Sequence, residues 1–192
     1  RGPRGPLVSA DETMGRREIT RVNGDVRRYA QIEGEYRYWL ERSWDRSPVT
    51  GWPLDMLTFV MLNPSTADGQ VDDPTIRRCI GFARREGASV MQVVNLYALR
   101  STDPAELLKH PDPVGVGNDA LLRSVACQRG RFRTVVAWGA HKAVTAERTA
   151  VLVDAAREAD TTLWCLGTTI AGAPRHPLYV KGSQPLVPWV PR

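Results

Sequence analysis

Three polar segments each follow an apolar, strand-like run, and they carry side chains that suit ligand binding or catalysis. The first begins at Asn63, the second begins at Asn95, and the third contains His176. In an open parallel sheet, ligands bind in the crevice outside the carboxyl ends of the strands. Two carboxamides and one imidazole at that edge therefore predict a single binding or catalytic site.

The first segment begins with Asn63-Pro64, and the proline favours an extended, stiffened backbone at the asparagine. A carboxamide held in this way can orient a water molecule or a ligand group. The residues that follow add two hydroxyls and two carboxylates, and either carboxylate could act as a general base: Ser65, Thr66, Asp68 and Asp72. Asp73 is expected to cap the next helix. The alternative is an ordinary turn whose side chains bond only to the backbone.

Asn95 follows five residues that should be buried, and its amide offers a donor beside an acceptor, which suits the edge of a nucleobase. His176, between Arg175 and Pro177, can donate a hydrogen bond to an oxygen that gains negative charge. Trp138-Gly139 ends another strand-like run, where a planar ligand could approach the backbone. Strand-end packing and an incidental loop histidine are the alternatives.

Composition favours one globular domain without a cofactor. The chain has 192 residues, of which 42% are hydrophobic and 24% charged. Three distant cysteines without a C-x-x-C pair predict buried, reduced thiols rather than a metal site. The P-loop, dinucleotide-binding and serine-hydrolase glycine motifs are absent from the sequence. We therefore expect neither a cofactor nor a metal.

The N-terminus and the apolar segments favour a cytoplasmic protein. Residues 1–14 have the composition of a disordered arm or an expression remnant, with Met14 a candidate native start, and residues 15–192 form one α/β domain. The beginning of the chain lacks the apolar stretch of a secretory signal. No segment reaches the roughly 20 apolar residues that cross a bilayer, so no membrane partner is expected.

The net charge of +5 permits binding to nucleic acid without requiring it. Arginines are clustered early in the chain and again near the start of a predicted helix, where Arg77 and Arg78 could strengthen an anion site. The alternative is a solvated basic surface. The oligomeric state is left open.

The expected elements place the polar segments at strand ends. Residues 19–30 and 34–44 predict an antiparallel strand pair, with a hairpin turn signal at Asn23-Gly24. Buried strands are predicted at 57–62, 90–94, 134–138 and 162–166, and a short strand at 178–181. Helices are predicted at 73–87, from 103, at 119–128 and at 141–159. This alternation predicts a doubly wound α/β domain with a mostly parallel four-stranded core.

Four runs together resemble a bacterial and phage family described only as a domain of unknown function. They are MLNPSTAD (61–68), DDPTIRRC (72–79), VVNLY (93–97) and PRHPL (174–178). The resemblance extends over about residues 36–181. It implies nothing about activity.

The same loops more distantly resemble the uracil-DNA glycosylase superfamily, a three-layer α/β/α sandwich around a four-stranded parallel sheet. The resemblance implies that Asn63 positions the attacking water, Asn95 reads the base edge and His176 stabilises the departing base oxygen. Trp138-Gly139 is similar to the strand that precedes a long helix in that superfamily. The chain departs from the pattern because Leu178-Tyr179 follows the His-Pro pair, where many members have serine and a leucine wedge.

These observations lead to three hypotheses about function. The first is a DNA glycosylase-like hydrolase that releases a modified or damaged base during base-excision repair. The second is a hydrolase or transferase acting on a free nucleoside or nucleotide, and the third is a non-catalytic module that binds nucleic acid or a nucleotide. The expected partner is therefore DNA, single-stranded or duplex, or a nucleotide.

We expect two sets of contact residues in addition to the catalytic candidates Asn63, His176, Asp68 and Asp72. The substrate-binding set is Pro64, Ser65, Thr66, Asn95, Tyr97, Trp138, Gly139, Arg175 and Pro177. The nucleic-acid-binding set is Arg77, Arg78, Leu178 and Tyr179.

Overall fold

The computed structural model of the chain describes residues 16–22, 26–44 and 55–191. Its strands are β1 (Arg16–Val22), β2 (Val26–Glu33), β3 (Tyr36–Ser43), β4 (Met56–Met61), β5 (Val90–Asn95), β6 (Phe132–Val136), β7 (Leu163–Cys165) and β8 (Val187–Pro188). Its α-helices are α1 (Pro74–Arg85), α2 (Asn118–Ala126) and α3 (Ala146–Glu158), and short 3₁₀ helices lie at Pro104–Leu108 and Pro177–Tyr179. The predicted arm at 1–14 and the Asn23-Gly24 turn lie outside the described residues.

The strands form one mixed sheet, which confirms the predicted α/β class. Their order is β1-β2-β3-β5-β4-β6-β7-β8. β4 pairs in parallel with β5 on one side and β6 on the other, and β7 continues in parallel beside β6. β3 joins this group antiparallel to β5. The carboxyl ends of β4 to β7 therefore lie along one edge of the sheet.

Helices pack on both faces of the sheet because the parallel strands are apolar on both sides. α1 buries one stripe, which includes Ile76, Cys79 and Phe82, against Phe59 and neighbouring residues of β4 and β5. α2 and α3 bury the opposite face, where Leu122 packs with residues of both helices and of the sheet. None of the helices within the described segments is long and apolar enough to span a bilayer.

The helix boundaries follow recognisable caps. Asp73 caps α1 as predicted, since its Oδ1 accepts a hydrogen bond from the Ile76 backbone at 2.8 Å, and Pro74 is the first helical residue. The helix predicted from residue 141 begins later, at Ala146. Thr145 caps it by accepting a hydrogen bond from the Arg148 backbone at 3.1 Å.

Three predictions about local structure are wrong. The antiparallel pair predicted over 19–30 and 34–44 is three strands, because β1 pairs antiparallel with β2 and β2 pairs antiparallel with β3. The strand predicted at 178–181 is replaced by the 3₁₀ helix Pro177–Tyr179, because His176 caps it and a proline begins it. Cys79 and Cys165 are buried thiols as expected, but Cys127 is exposed.

Candidate functional site

A cavity of about 680 Å³ opens at the carboxyl ends of the parallel strands. This volume lies within the range of small-molecule sites in proteins. Eight of the predicted site residues line it: Asn63, Ser65, Asn95, Trp138, Gly139, Arg175, His176 and Tyr179. The loops that follow β4, β5, β6 and β7 therefore converge on one space.

The Asn63 carboxamide is held so that its oxygen remains available as an acceptor. Its Nδ2 donates to the backbone oxygens of Pro64 at 3.0 Å and Ser101 at 2.9 Å. Ser101 in turn donates its backbone N–H to the Pro64 oxygen at 2.9 Å, which joins the loops after β4 and β5. Because both amide protons are used, the Oδ1 atom can accept a hydrogen bond from a water or a ligand.

Asn95 presents an unpaired amide to the cavity. Its side chain is 1% exposed, and within the described part of the chain neither Nδ2 nor Oδ1 has a hydrogen-bond partner. Its backbone is fixed, because Asn118 Nδ2 donates to the oxygens of Asn95 at 3.1 Å and Leu96 at 3.0 Å. A buried polar side chain normally finds partners within the protein or in ordered water, which makes the unpaired Asn95 amide a candidate for contact with a ligand.

His176 is held in a defined orientation at the cavity wall. Its Nδ1 accepts a hydrogen bond from the Leu178 backbone at 3.4 Å, so a neutral ring carries its proton on Nε2. Burial lowers the pKa of His176 below its ordinary value of 6.5, and the Asp73 carboxylate partly offsets this effect. The ring is therefore a neutral hydrogen-bond donor at physiological pH.

The loop that carries His176 is braced from two sides. Arg78 donates from Nε to the Pro177 oxygen at 3.3 Å and from Nη2 to the Val180 oxygen. On the other side, the Gly139 backbone donates to the Pro174 oxygen at 3.0 Å. Arg78 therefore holds this loop against α1, and its contact with nucleic acid stays a prediction.

Gly139, which donates to the loop that carries His176, has a backbone conformation that favours glycine. Its φ of 76° lies in the left-handed region, where a residue with a Cβ is strained, whereas the 3.5 Å from such a Cβ to the Cβ of His176 would be an ordinary contact. The glycine allows the chain that follows β6 to turn toward the segment that carries His176. Trp138, next to it, is 3% exposed and packs edge-on against Trp189.

The carboxylates that were candidates for the general base lie away from the cavity wall. Asp68 Oδ1 accepts backbone hydrogen bonds from Gln70 and Val71, at 2.7 and 2.8 Å. Burial opposes ionisation of Asp68, but these bonds outweigh it and hold the pKa of the carboxyl below its usual value. Asp72 pairs with Arg42 at 2.8 Å and with Arg28 at 3.1 Å. Both side chains are thus engaged in holding the β4–α1 loop.

The remaining predicted residues also lie outside the lining. Tyr97 is buried and donates its hydroxyl to the Ala143 oxygen at 2.8 Å. Arg77 donates to the Asp72 backbone oxygen. The last group consists of two buried prolines and two exposed side chains: Pro64, Pro177, Thr66 and Leu178.

The lining also contains polar residues that the sequence did not single out as site residues. These are Arg37, Asp73, Thr75, Ser101, Thr102 and His141. Asp73 both caps α1 and lines the cavity. The sequence pattern indicated only the helix cap and not the position at the cavity. Arg37 lies on β3, 2% exposed, and donates from Nη1 to the Ala67 oxygen at 2.6 Å. Burial lowers the pKa of Arg37 to about 10, with Asp73 acting in the opposite direction, so the guanidinium is charged at neutral pH.

Comparison with known proteins gives one match. A protein-family model described as "Protein of unknown function (DUF1643)" matches residues 37–178, close to the extent predicted from the sequence runs. No curated protein matches the chain. No solved structure matches it either.

Proposed function

The chain belongs to the DUF1643 family, and we propose from the geometry of its cavity that it is an N-glycosidic hydrolase acting on nucleic acid. Its substrate is a modified or damaged base in DNA, which enters the cavity from an unstacked position. The products are the free base and a sugar that carries a hydroxyl at C1′.

One observation carries this proposal. Asn63, Asn95 and His176 come from three separate segments of the chain, with Asn95 at the end of β5, and they line the same cavity. Each offers a hydrogen-bonding atom without a partner among the residues that the structure describes: an acceptor on Asn63, an acceptor and a donor on Asn95, and the Nε2–H donor on His176. This combination of groups suits a planar heterocycle that lies beside a nucleophilic water.

Asn63 and Asp73 are the residues we assign to the water. The Asn63 oxygen accepts one hydrogen bond from the water, and the Asp73 carboxylate accepts the other and takes the proton as the oxygen attacks C1′. One Asp73 oxygen is already occupied by the Ile76 backbone, which holds the carboxylate in place. Asp73 therefore replaces Asp68 and Asp72 in the proposed mechanism, since the side chains of those two are engaged elsewhere.

Asn95 and His176 are the residues we assign to the base. The Asn95 amide forms hydrogen bonds with an edge of the base that presents an acceptor beside a donor. When the C1′–N bond breaks, the base leaves with the electron pair of that bond. His176 donates its Nε2 proton in a hydrogen bond to the base oxygen that gains negative charge. A preorganised donor of this kind contributes about 3–4 kcal/mol to lowering a barrier.

Two residues at the opening suit contact with the rest of the nucleic acid. Arg175 is exposed beside His176 and can meet a phosphate, and Tyr179 is 81% exposed and can stack on a base. The sheet with helices on both faces is an α/β arrangement, and the glycosylase resemblance of the sequence motifs supports the proposal only by analogy.

The test is single-turnover release of a modified base from DNA by the full chain and its variants. Asn63→Ala and His176→Ala should each slow release by about 100-fold or more, because each removes one preorganised contact. His110→Ala is a matched control, since His110 pairs with Glu35 outside the cavity lining and its loss should leave release unchanged. Unchanged rates in both cavity variants would refute the mechanism.

The form of the substrate separates this proposal from its alternatives. Release from oligonucleotides should weaken steeply with salt, because backbone phosphates contribute to binding. Turnover of a mononucleotide with little salt dependence would instead favour a nucleotide hydrolase. Saturable binding without any product would favour a binding module.

A further inference from the structure

Arg37 is a buried cation without an anionic partner. Its side chain reaches the cavity wall, and among the described residues its side chain donates a hydrogen bond only to a neutral backbone oxygen, that of Ala67. The Nε atom is buried and unpaired among the described residues. No carboxylate in the described part of the chain lies within ion-pair distance of it.

The surrounding charges do not neutralise Arg37. Two carboxylates act on Arg37 with opposite charge, Asp73 more strongly than Asp68, but neither lies within ion-pair distance of it in the described part of the chain. Asp68 accepts two backbone hydrogen bonds, and Asp73 caps α1. Two further arginines, Arg42 and Arg100, act on Arg37 with like charge. The lining itself contains two arginines, Arg37 and Arg175, and one carboxylate, Asp73, so the wall carries an excess of one positive charge.

Burying an unpaired charge is costly, and proteins rarely retain one without a partner. A guanidinium is suited to oxygen anions because its planar fork donates parallel hydrogen bonds. Because Arg37 lines the cavity, its guanidinium lies next to the space where a ligand would bind. The missing partner of this arginine is thus expected to come from the ligand.

We propose that Arg37 forms a subsite for an anionic oxygen, so that the cavity selects a ligand bearing negative charge next to the group that Asn95 binds. The source of the anion is either a phosphate of a nucleotide or the ionised oxygen of a base. This inference deepens the proposed function by naming the charge of the ligand. It stands independently of whether a glycosidic bond is broken.

Calorimetric titration of the full chain with four probes tests the subsite and distinguishes the two sources. The probes are thymidine, thymidine 5′-monophosphate, inorganic phosphate and urate, a purine that is anionic at neutral pH. If the source is a phosphate, the monophosphate should bind about 10- to 100-fold more tightly than thymidine, as expected for charge-assisted hydrogen bonds. If the source is the base, urate should bind tightly and the two thymidine compounds should bind equally.

Substitution of Arg37 assigns the effect to this residue. Arg37→Met should abolish the advantage of the charged probe while leaving the affinity for thymidine intact, and Arg37→Lys should retain part of it because the charge remains. Arg175→Met is the matched control, since Arg175 is exposed and its contribution should disappear at high salt, whereas that of the buried Arg37 should persist.

Two further outcomes complete the test. The melting temperature of Arg37→Met without ligand should not fall, because the variant removes an uncompensated buried charge. The proposal is overturned if no charged probe binds better than thymidine, or if the advantage survives in both Arg37 variants. Base release without any preference for charge would overturn this inference alone and leave the proposed function standing.

Discussion

Replacing Asn95 with leucine should stabilise the ligand-free protein while removing its function. Asn95 is 1% exposed, and both polar atoms of its side chain lack a hydrogen-bond partner among the described residues. Leucine has a similar size and no polar atom to satisfy. Replacing a residue that stabilises the fold lowers the free energy of unfolding. Replacing a buried polar residue that is retained for ligand binding should raise it, because the unpaired polar atoms are removed.

The expected gain follows from the two unpaired atoms. An unsatisfied buried donor or acceptor costs about 1–3 kcal/mol. We take the lower limit for each atom because the side chain borders an open cavity, which gives about 2 kcal/mol in the free energy of unfolding. For a chain of this length, that corresponds to a rise of about 4–8 °C in the melting temperature.

Scanning calorimetry of the ligand-free chain measures this effect, and Asn118→Leu is its matched control. Asn118 is also fully buried, but its amide donates to the Asn95 and Leu96 oxygens, so the substitution should lower the melting temperature. Base release should be lost in Asn95→Leu. A fall in melting temperature for Asn95→Leu comparable to that of the control would refute the argument that Asn95 is held for a ligand.

Two further predictions concern pH and the Asp72 carboxylate. Because burial holds the pKa of His176 below 6.5, the unfolded chain binds more protons than the folded chain just below that pH. The free energy of unfolding should therefore decrease as the pH is lowered through this range. The decrease should be smaller in His176→Gln. Parallel melting curves between pH 7.5 and 5 would contradict this. Asp72→Asn should destabilise the fold by about 3 kcal/mol, because the buried Arg42 loses its carboxylate, with base release per folded molecule unchanged. Lost release with an unchanged melting temperature would instead place Asp72 in the chemistry.

The convergence of Asn63, Asn95 and His176 could be predicted because it depends on a rule of topology. Parallel strands joined by helices bring their carboxyl ends to one edge, and the apolar runs of β4 and β5 identify such strands clearly. The cap at Asp73 was equally clear, since the sequence places proline next to it. These features are encoded locally.

The rest of the site depends on contacts between distant segments. Arg37 lies on an antiparallel strand whose composition gives no sign that one arginine is buried against the β4 loop. Asp72 and Asp73 are adjacent and chemically identical, and only the packing of α1 decides that one meets arginines and the other faces the cavity. Likewise, the engagement of Arg78 with the His176 loop joins residues about a hundred positions apart.

The most direct test of the central claim is mass spectrometry of the bases released from DNA oligonucleotides carrying assorted modified bases. The full chain should release at least one free base and leave an equimolar abasic site in the strand. Tight binding of those oligonucleotides with no released base at any protein concentration would contradict the claim that this cavity breaks N-glycosidic bonds.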